Sequence, residues 1–220
     1  MDISVTQLGS VAVLKWNDGE NRVNLDSLGR INSILDELES MEGPLALVLT
    51  GSGKFFSNGL DLDRFGNNPE EFGATIRESL HTIGRLLVFP AYTVAAINGH
   101  AFAMGALITC AFDHRVMRED RGYWCMNEAE IGLALDDRLW SILVNRLPRA
   151  TATVAATTAR RFSGPEAKHF GIVEAVAGET DVLSSALSVA ESYSTLDRKT
   201  LAMHKWLAHG EEATFLGFTR

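Results

Sequence analysis

The chain has 220 residues and a mass of 24.0 kDa, room for one large domain or a domain with a small appendage. Its 46% hydrophobic and 22% charged residues sit in the ordinary globular range and exclude a disordered chain. Twenty Lys+Arg against twenty-eight Asp+Glu leave a net charge of −8 with no basic block, which argues against nucleic-acid binding and against attachment to anionic membranes.

In chain order, Val11–Trp16 and Leu45–Thr50 are short apolar runs that read as strands. Between them Leu28, Ile31, Leu35 and Leu38 recur at helical spacing, with Asn24 or Asp26 as the N-cap. Phe72, Ile76, Leu80, Ile83 and Leu87 share one face of a second helix, from about Glu70 to Leu87, which Pro90 stops. Thr93–Ile97 reads as a buried strand, Asn98-Gly99 as a turn and Met104–Phe112 as a helix of small residues. His114–Met117 and Tyr123–Met126 read as strands around the polar turn Arg118–Gly122. From Asp137 the pattern is helical: Leu139–Leu147, Thr151–Ala159, a capped helix after Ser163, an extended piece at Ile172–Val176 and two helices between Asp181 and His209. The β-α-β rhythm predicts a mainly parallel sheet covered by helices. The expected division is an α/β core over residues 1–160 and a helical region over 161–220.

Three segments carry candidate chemistry. Gly51-Ser-Gly-Lys-Phe-Phe-Ser-Asn-Gly-Leu-Asp-Leu62 follows a strand and can turn backbone N–H groups toward a ligand, although a plain strand-to-helix loop has the same composition. Ile97-Asn-Gly-His-Ala-Phe-Ala-Met-Gly-Ala106 is a strand, a turn and a helix start whose free N–H groups suit an oxyanion; tight packing equally favours small residues. Met126-Asn-Glu-Ala-Glu-Ile-Gly-Leu133 sets Glu128 and Glu130 beside a strand end, where glutamates are often merely solvated.

Taken together, in this order and spacing, the segments resemble the crotonase (enoyl-CoA hydratase/isomerase) superfamily. Phe56-Ser-Asn-Gly-Leu-Asp-Leu62 and Asn98-Gly-His-Ala-Phe-Ala-Met-Gly105 stand where that family has its two oxyanion elements. Arg161-Phe-Ser-Gly-Pro-Glu-Ala167 and Gly171-Ile-Val-Glu174 match its later pattern, and Lys54–Gly59, Asn98–Ala101 and Arg118–Gly122 look most like plant-type Δ3,Δ2-enoyl-CoA isomerases. The resemblance implies a ββα spiral: two nearly perpendicular sheets with helices outside and a helical C-terminal region. It implies an acyl-CoA thioester substrate, no cofactor beyond the coenzyme A that the substrate carries, and a homotrimer or hexamer. It also implies oxyanion donors at the backbone N–H groups of Asn58 and Met104, and a substrate site drawn from Ser57, Asn58, Gly59, Leu60, Asp61, Met104 and Asn127.

Family hydratases use two glutamates. The resemblance places one at Glu128 and the other at Leu107, which is no acid. A single base suffices to move a double bond, taking a proton from C2 and returning it at C4, so Glu128 is the expected proton shuttle. Its pKa is expected to be raised by an apolar pocket containing Leu107, Phe102 and Ile131. Asp136 is the second acid of the dienoyl-CoA isomerase alternative, or else a helix cap. A hydratase, or a catalytically silent scaffold or RNA-binding protein, completes the alternatives.

The six histidines lack metal-ligand spacing, and Cys110 and Cys125 read as small core residues with no disulfide framework. Asp113 reads as structural, and Lys54 and Arg22 as solvated surface. Phe65, Phe72, Phe89, Phe102 and Trp140 either line the acyl tunnel or belong to the core. No stretch is long and apolar enough for a bilayer, the N-terminus lacks a signal-peptide pattern and Gly217-Phe-Thr-Arg220 is not a peroxisomal address, so the expected compartment is the cytoplasm.

Overall fold

The computed structural model describes residues 2–66 and 68–219. A six-stranded sheet runs in the order β1 (Ile3–Leu8), β2 (Val11–Trp16), β3 (Ala46–Thr50), β5 (Tyr92–Ile97), β7 (His114–Arg118), β9 (Ala175–Ala177), parallel except for the β1–β2 hairpin. A three-stranded parallel sheet holds β4 (Phe55–Ser57), β6 (His100–Phe102) and β8 (Trp124–Cys125). The chain passes from β2 to β3 through a helix alone, whereas the β3-to-β5 crossover takes in β4 and the β5-to-β7 crossover takes in β6 of the small sheet before their helices.

Strand period two divides the large sheet's side chains between two cores. Ala12, Leu14, Trp16, Leu47, Leu49, Ala95, Ile97 and Met117 enter the main core under α1 (Leu25–Ser40), α3 (Pro69–Leu87) and α4 (Met104–Cys110). Val11, Val13, Ala46, Val48, Val94, Ala96 and Val116 face the other way, where Val182, Ala186 and Ala190 of α9 (Val182–Tyr193) cover them. Burial on both faces explains why these strands read as continuous apolar runs.

Helix ends follow the sequence. Asn24 caps α1 by accepting from the Ser27 N–H at 3.0 Å, and Glu166 closes the capping box of α8 (Gly164–His169) on the Ser163 N–H at 2.9 Å. Arg85 ties α3 to α1 through Asp36 (2.6 Å) and Glu39 (2.9 Å). Short helices α2 (Leu62–Phe65) and α5 (Glu128–Ile131) flank the small sheet, and α6 (Asp137–Arg146) and α7 (Arg149–Thr158) follow.

The chain ends with α10 (Arg198–Phe215), which packs on α3 and α6, and its buried Lys205 donates to Asp113 at 2.8 Å. Residues 161–220 supply β9 to the large sheet and α9 to its second face, so they share sheet and core with residues 1–160. The extended piece expected at Ile172–Val176 begins later, at Ala175, because the Ile172 and Val173 N–H groups still turn back to the Ala167 carbonyl.

Candidate active site

The first element is the loop after β4. Gly59 has φ +80°, and a β-carbon there would lie 2.8 Å from the Phe102 carbonyl oxygen and 3.5 Å from the Met104 nitrogen. Only glycine allows this loop to press against the start of α4. Ser57 is fully buried; its hydroxyl donates to the Asn21 carbonyl at 2.7 Å and accepts from the Gly59 N–H at 3.2 Å. It therefore braces the loop. Asp61 does the same, accepting from Asn24 at 3.2 Å and Arg22 at 3.3 Å.

One expectation needs correction here. The Asn58 N–H donates to the Glu20 carbonyl at 2.9 Å, so its proton is already committed to a peptide oxygen and is not open to a thioester. Its side-chain amide is held too, on the Glu20 carboxylate at 3.0 Å. The neighbouring Leu60 forms a parallel bridge with Val23: the Val23 N–H reaches the Gly59 carbonyl (2.8 Å) and the Asp61 N–H reaches the Val23 carbonyl (3.0 Å). That pairing turns the Leu60 N–H to the other side, where it meets no acceptor among the described residues, and Leu60 lines the cavity.

The second element is α4. Its first N–H, from Met104, has no intrahelical partner by geometry and no other acceptor among the described residues. Met104 itself is helical; the positive φ falls one residue earlier, at Ala103 (φ +49°, ψ −121°), a conformation costing an alanine on the order of 1–3 kcal/mol. A β-carbon on Gly105 would stand 2.6 Å from the Ser57 carbonyl oxygen, which is how closely α4 approaches β4. At its far end Arg146 donates to the carbonyls of Cys110 and Phe112, 2.8 Å each, and so holds the helix in place.

The third element supplies the acid. Glu128 opens α5 and is 8% exposed, with its Oε2 buried and without a hydrogen-bond partner. Burial pushes its pKa up to about 7, opposed only by its own backbone N–H. Asn127 Oδ1 is likewise buried and unpaired. A cavity of about 150 Å3, several times the share of one water, is lined by Asn58, Leu60, Met104, Leu107, Asn127 and Glu128 together with aliphatic side chains of α3, α6 and the 131–135 segment. Glu128 is the one ionisable side chain among those lining residues.

Leu107 and Ile131 line the cavity as expected. Phe102 does not; its ring lies 5.0 Å from that of His100, tilted against it. Of the other aromatic candidates only Phe72 lines it, with Phe65 packed edge-on behind at 5.5 Å; Phe89 is core, and Trp140 lines an outer groove. Asp136 caps α6, accepting from the N–H groups of Arg138 and Leu139 at 3.0 Å each and pairing with the Arg138 guanidinium at 2.6 Å. Partial burial works to raise its pKa, but these bonds outweigh it and hold the carboxyl below its ordinary value. It is absent from the cavity lining and stands in the outer groove, which Glu128 also borders, with its carboxylate engaged in the α6 cap. Arg22 is occupied by Glu20 (2.8 Å) and Asp63, and Lys54 lies over the Phe55 ring at 5.1 Å. Ile76, Leu135 and Leu139 are lining residues that sequence reasoning missed; aliphatic residues on amphipathic helices carry no signal that separates pocket from core.

Residues 6–211 match the family model described as Enoyl-CoA hydratase/isomerase. The chain belongs to this family. It is 32% identical over 200 residues to the peroxisomal enoyl-CoA delta isomerase 2 of Arabidopsis thaliana, covering 86% of this chain and 80% of that protein. It is 36% identical over 208 residues to a putative enoyl-CoA hydratase of Thermus thermophilus, covering 90% and 80%. Among solved structures, human mitochondrial delta3-delta2-enoyl-CoA isomerase superposes with a TM-score of 0.89 at 26% identity, over 97% of this chain and 85% of that one. A probable enoyl-CoA hydratase of Mycobacterium tuberculosis superposes at 0.91 with 28% identity, over 97% and 91%. These likenesses agree with the family's fold, here two sheets wrapped by helices. Among the described residues no helix is long and apolar enough to cross a membrane, and no three His, Cys, Asp or Glu side chains gather as a metal site requires.

Proposed function

We propose that this family member isomerises 3-enoyl-CoA to trans-2-enoyl-CoA, a step of unsaturated fatty-acid β-oxidation, with Glu128 as its proton shuttle. The observation that carries this reading is a cavity with one ionisable side chain, Glu128, raised to a pKa of about 7, facing Leu107 where a hydratase would need its second carboxylate. The enoyl-CoA delta isomerase names of several relatives support it.

In this mechanism the Leu60 and Met104 N–H groups hold the thioester oxygen. The Glu128 carboxylate takes the proton from C2, and the electron pair of that C–H bond moves through the carbonyl to give a dienolate whose negative charge the two N–H groups stabilise. Protonated Glu128 then returns the proton to C4, the remaining double bond shifts to C2–C3 and the carbonyl re-forms. No water is consumed. A base with a pKa near 7 is matched to this exchange, since it both accepts and releases the proton near neutral pH. Asn127, with an unpaired oxygen on the same cavity wall, contacts the substrate.

Coenzyme A enters as part of the substrate, and no further cofactor takes part. We place the protein in the cytoplasm and expect a homotrimer or hexamer; Met203 and Leu207 on α10, 61% and 84% exposed, are apolar surface suited to contact between copies. Conversion of 3-hexenoyl-CoA to 2-hexenoyl-CoA by the purified protein tests the function. Binding of this thioester without turnover would instead favour a silent scaffold. Light scattering tests the assembly, and a monomer would refute that part.

A further inference from the structure

The cavity beside Glu128 grades from open to closed. Leu62 and Ile131 at its rim are each 44% exposed, while Phe72, Ile76, Leu133 and Leu135 are half-buried along its walls. Away from Met104, Leu107 and Glu128 at the reacting end, Leu139, 8% exposed, is the most buried lining residue and forms its floor. It belongs to the main core, where α4 packs on α6. A core at ordinary packing density does not open a channel for a longer ligand. The wall is thin on two sides: Glu128, Leu133, Ala134 and Leu135 line both the cavity and the outer groove that holds Asp136 and Trp140, and Leu62 and Phe72 line both the cavity and a second groove beside Phe65 and Pro69.

The size of the space is informative. A cavity of about 150 Å3 lined by Leu, Ile and Phe holds one benzene-sized guest, about six carbons. The oxyanion donors and Glu128 fix C1 to C4 of the acyl chain at the reacting end, so two further carbons reach the floor. Past Glu128 the lining is apolar and offers no polar partner for an oxygenated chain end.

We propose that the site selects short, unfunctionalised acyl chains, with six carbons the longest that it encloses, and that Leu139 and Ile76 set the limit. This rests on reading the cavity as the thioester site. Up to six carbons, each added methylene is buried and strengthens binding roughly fourfold. Beyond six, the chain must displace the floor or the Leu133–Leu135 wall, and overfilling a packed site costs on the order of tenfold to a hundredfold.

Two series on the intact purified protein test this: calorimetric binding of saturated acyl-CoAs from butanoyl to dodecanoyl, and kcat/KM for 3-enoyl-CoAs of the same lengths. Both are expected to peak at six carbons and to fall about tenfold or more by ten carbons. Leu139→Ala, which lowers the floor, should raise the ten-to-six ratio about tenfold. Ile76→Phe fills half-buried space with little demand on the fold, and should weaken hexanoyl-CoA about tenfold more than butanoyl-CoA. Decanoyl- or dodecanoyl-CoA binding as tightly as hexanoyl-CoA, or ratios unmoved by both variants, would overturn the length limit and leave the isomerase reading standing if turnover is seen. A binding peak at six carbons without turnover would support the length limit and overturn the isomerase reading instead.

Discussion

Glu128→Gln separates the chemical contribution of this side chain from its contribution to stability, with opposite signs. Burial raises its pKa from an ordinary 4.5 to about 7, at a side chain only 8% exposed. Below pH 4.5 both folded and unfolded chains carry the proton, and the group is neutral toward stability. Between pH 4.5 and 7 the unfolded chain has released its proton while the folded chain keeps it, so stability falls as pH rises. Above 7 the folded protein holds a buried carboxylate at a cost of about 3 kcal/mol. Glutamine has the same shape without the charge, so Glu128→Gln should stabilise the protein at pH 8 by up to that amount, or several degrees in Tm for a chain of this size. At pH 4 the variant and the parent should melt together. Turnover of 3-hexenoyl-CoA should fall by roughly 10²–10⁴ with acyl-CoA binding retained, and the parent kcat/KM should lose activity below an inflection near pH 7. Paired melting curves at the two pH values and a pH–rate profile read all of this. A Tm difference that is the same at both pH values would refute the buried-carboxylate argument, and near-full activity in the variant would refute the one-base mechanism.

Asp136→Ala should cost about 1 kcal/mol through the lost α6 cap, visible as a lower Tm. It should leave 3-hexenoyl-CoA turnover within twofold, whereas a dienoyl-CoA isomerase would lose its activity on 3,5-dienoyl-CoA. Gly105→Ala places a methyl group 2.6 Å from the Ser57 carbonyl and must push α4 away from β4. Turnover should drop at least about tenfold through kcat, consistent with loss of part of an oxyanion contact, while the inflection near pH 7 stays in place. Leu107→Glu puts a second carboxyl on the cavity wall; a low rate of 2-hexenoyl-CoA hydration should appear, with a lowered Tm from the buried polar group.

The large strands were legible because burial on both faces writes long apolar runs: Val11–Trp16 matches β2 residue for residue, and Thr93–Ile97 falls one residue short of β5. The small sheet was legible only at β8, inside the strand read at Tyr123–Met126; β4 and β6 are three residues long and lie inside segments whose glycines and polar residues read as loops. Glu128 and Leu107 were legible through the resemblance, and the cavity brings both together as expected. In the loop after β4 the Asn58 N–H, the expected donor, is taken by the Glu20 carbonyl, and the unpaired N–H is that of Leu60. Which N–H of Asn58-Gly-Leu60 is free depends on the Glu20 carbonyl and the Val23 bridge, pairings some forty residues away that no local pattern announces.

Leu107 decides more than the absence of a second acid. A carboxylate in its place would be a like charge near Glu128 and would raise the pKa of that group further, on top of what burial already does. The leucine leaves desolvation as the leading cause, and the resulting value of about 7 is one at which a single group can serve alternately as base and acid. The same side chain lines the cavity, is 1% exposed and is part of the main core, so a carboxyl at position 107 would also have to be buried there. Leu107→Glu is therefore held to a low rate of hydration, because the exchange that supplies a second carboxyl also shifts the proton affinity of Glu128.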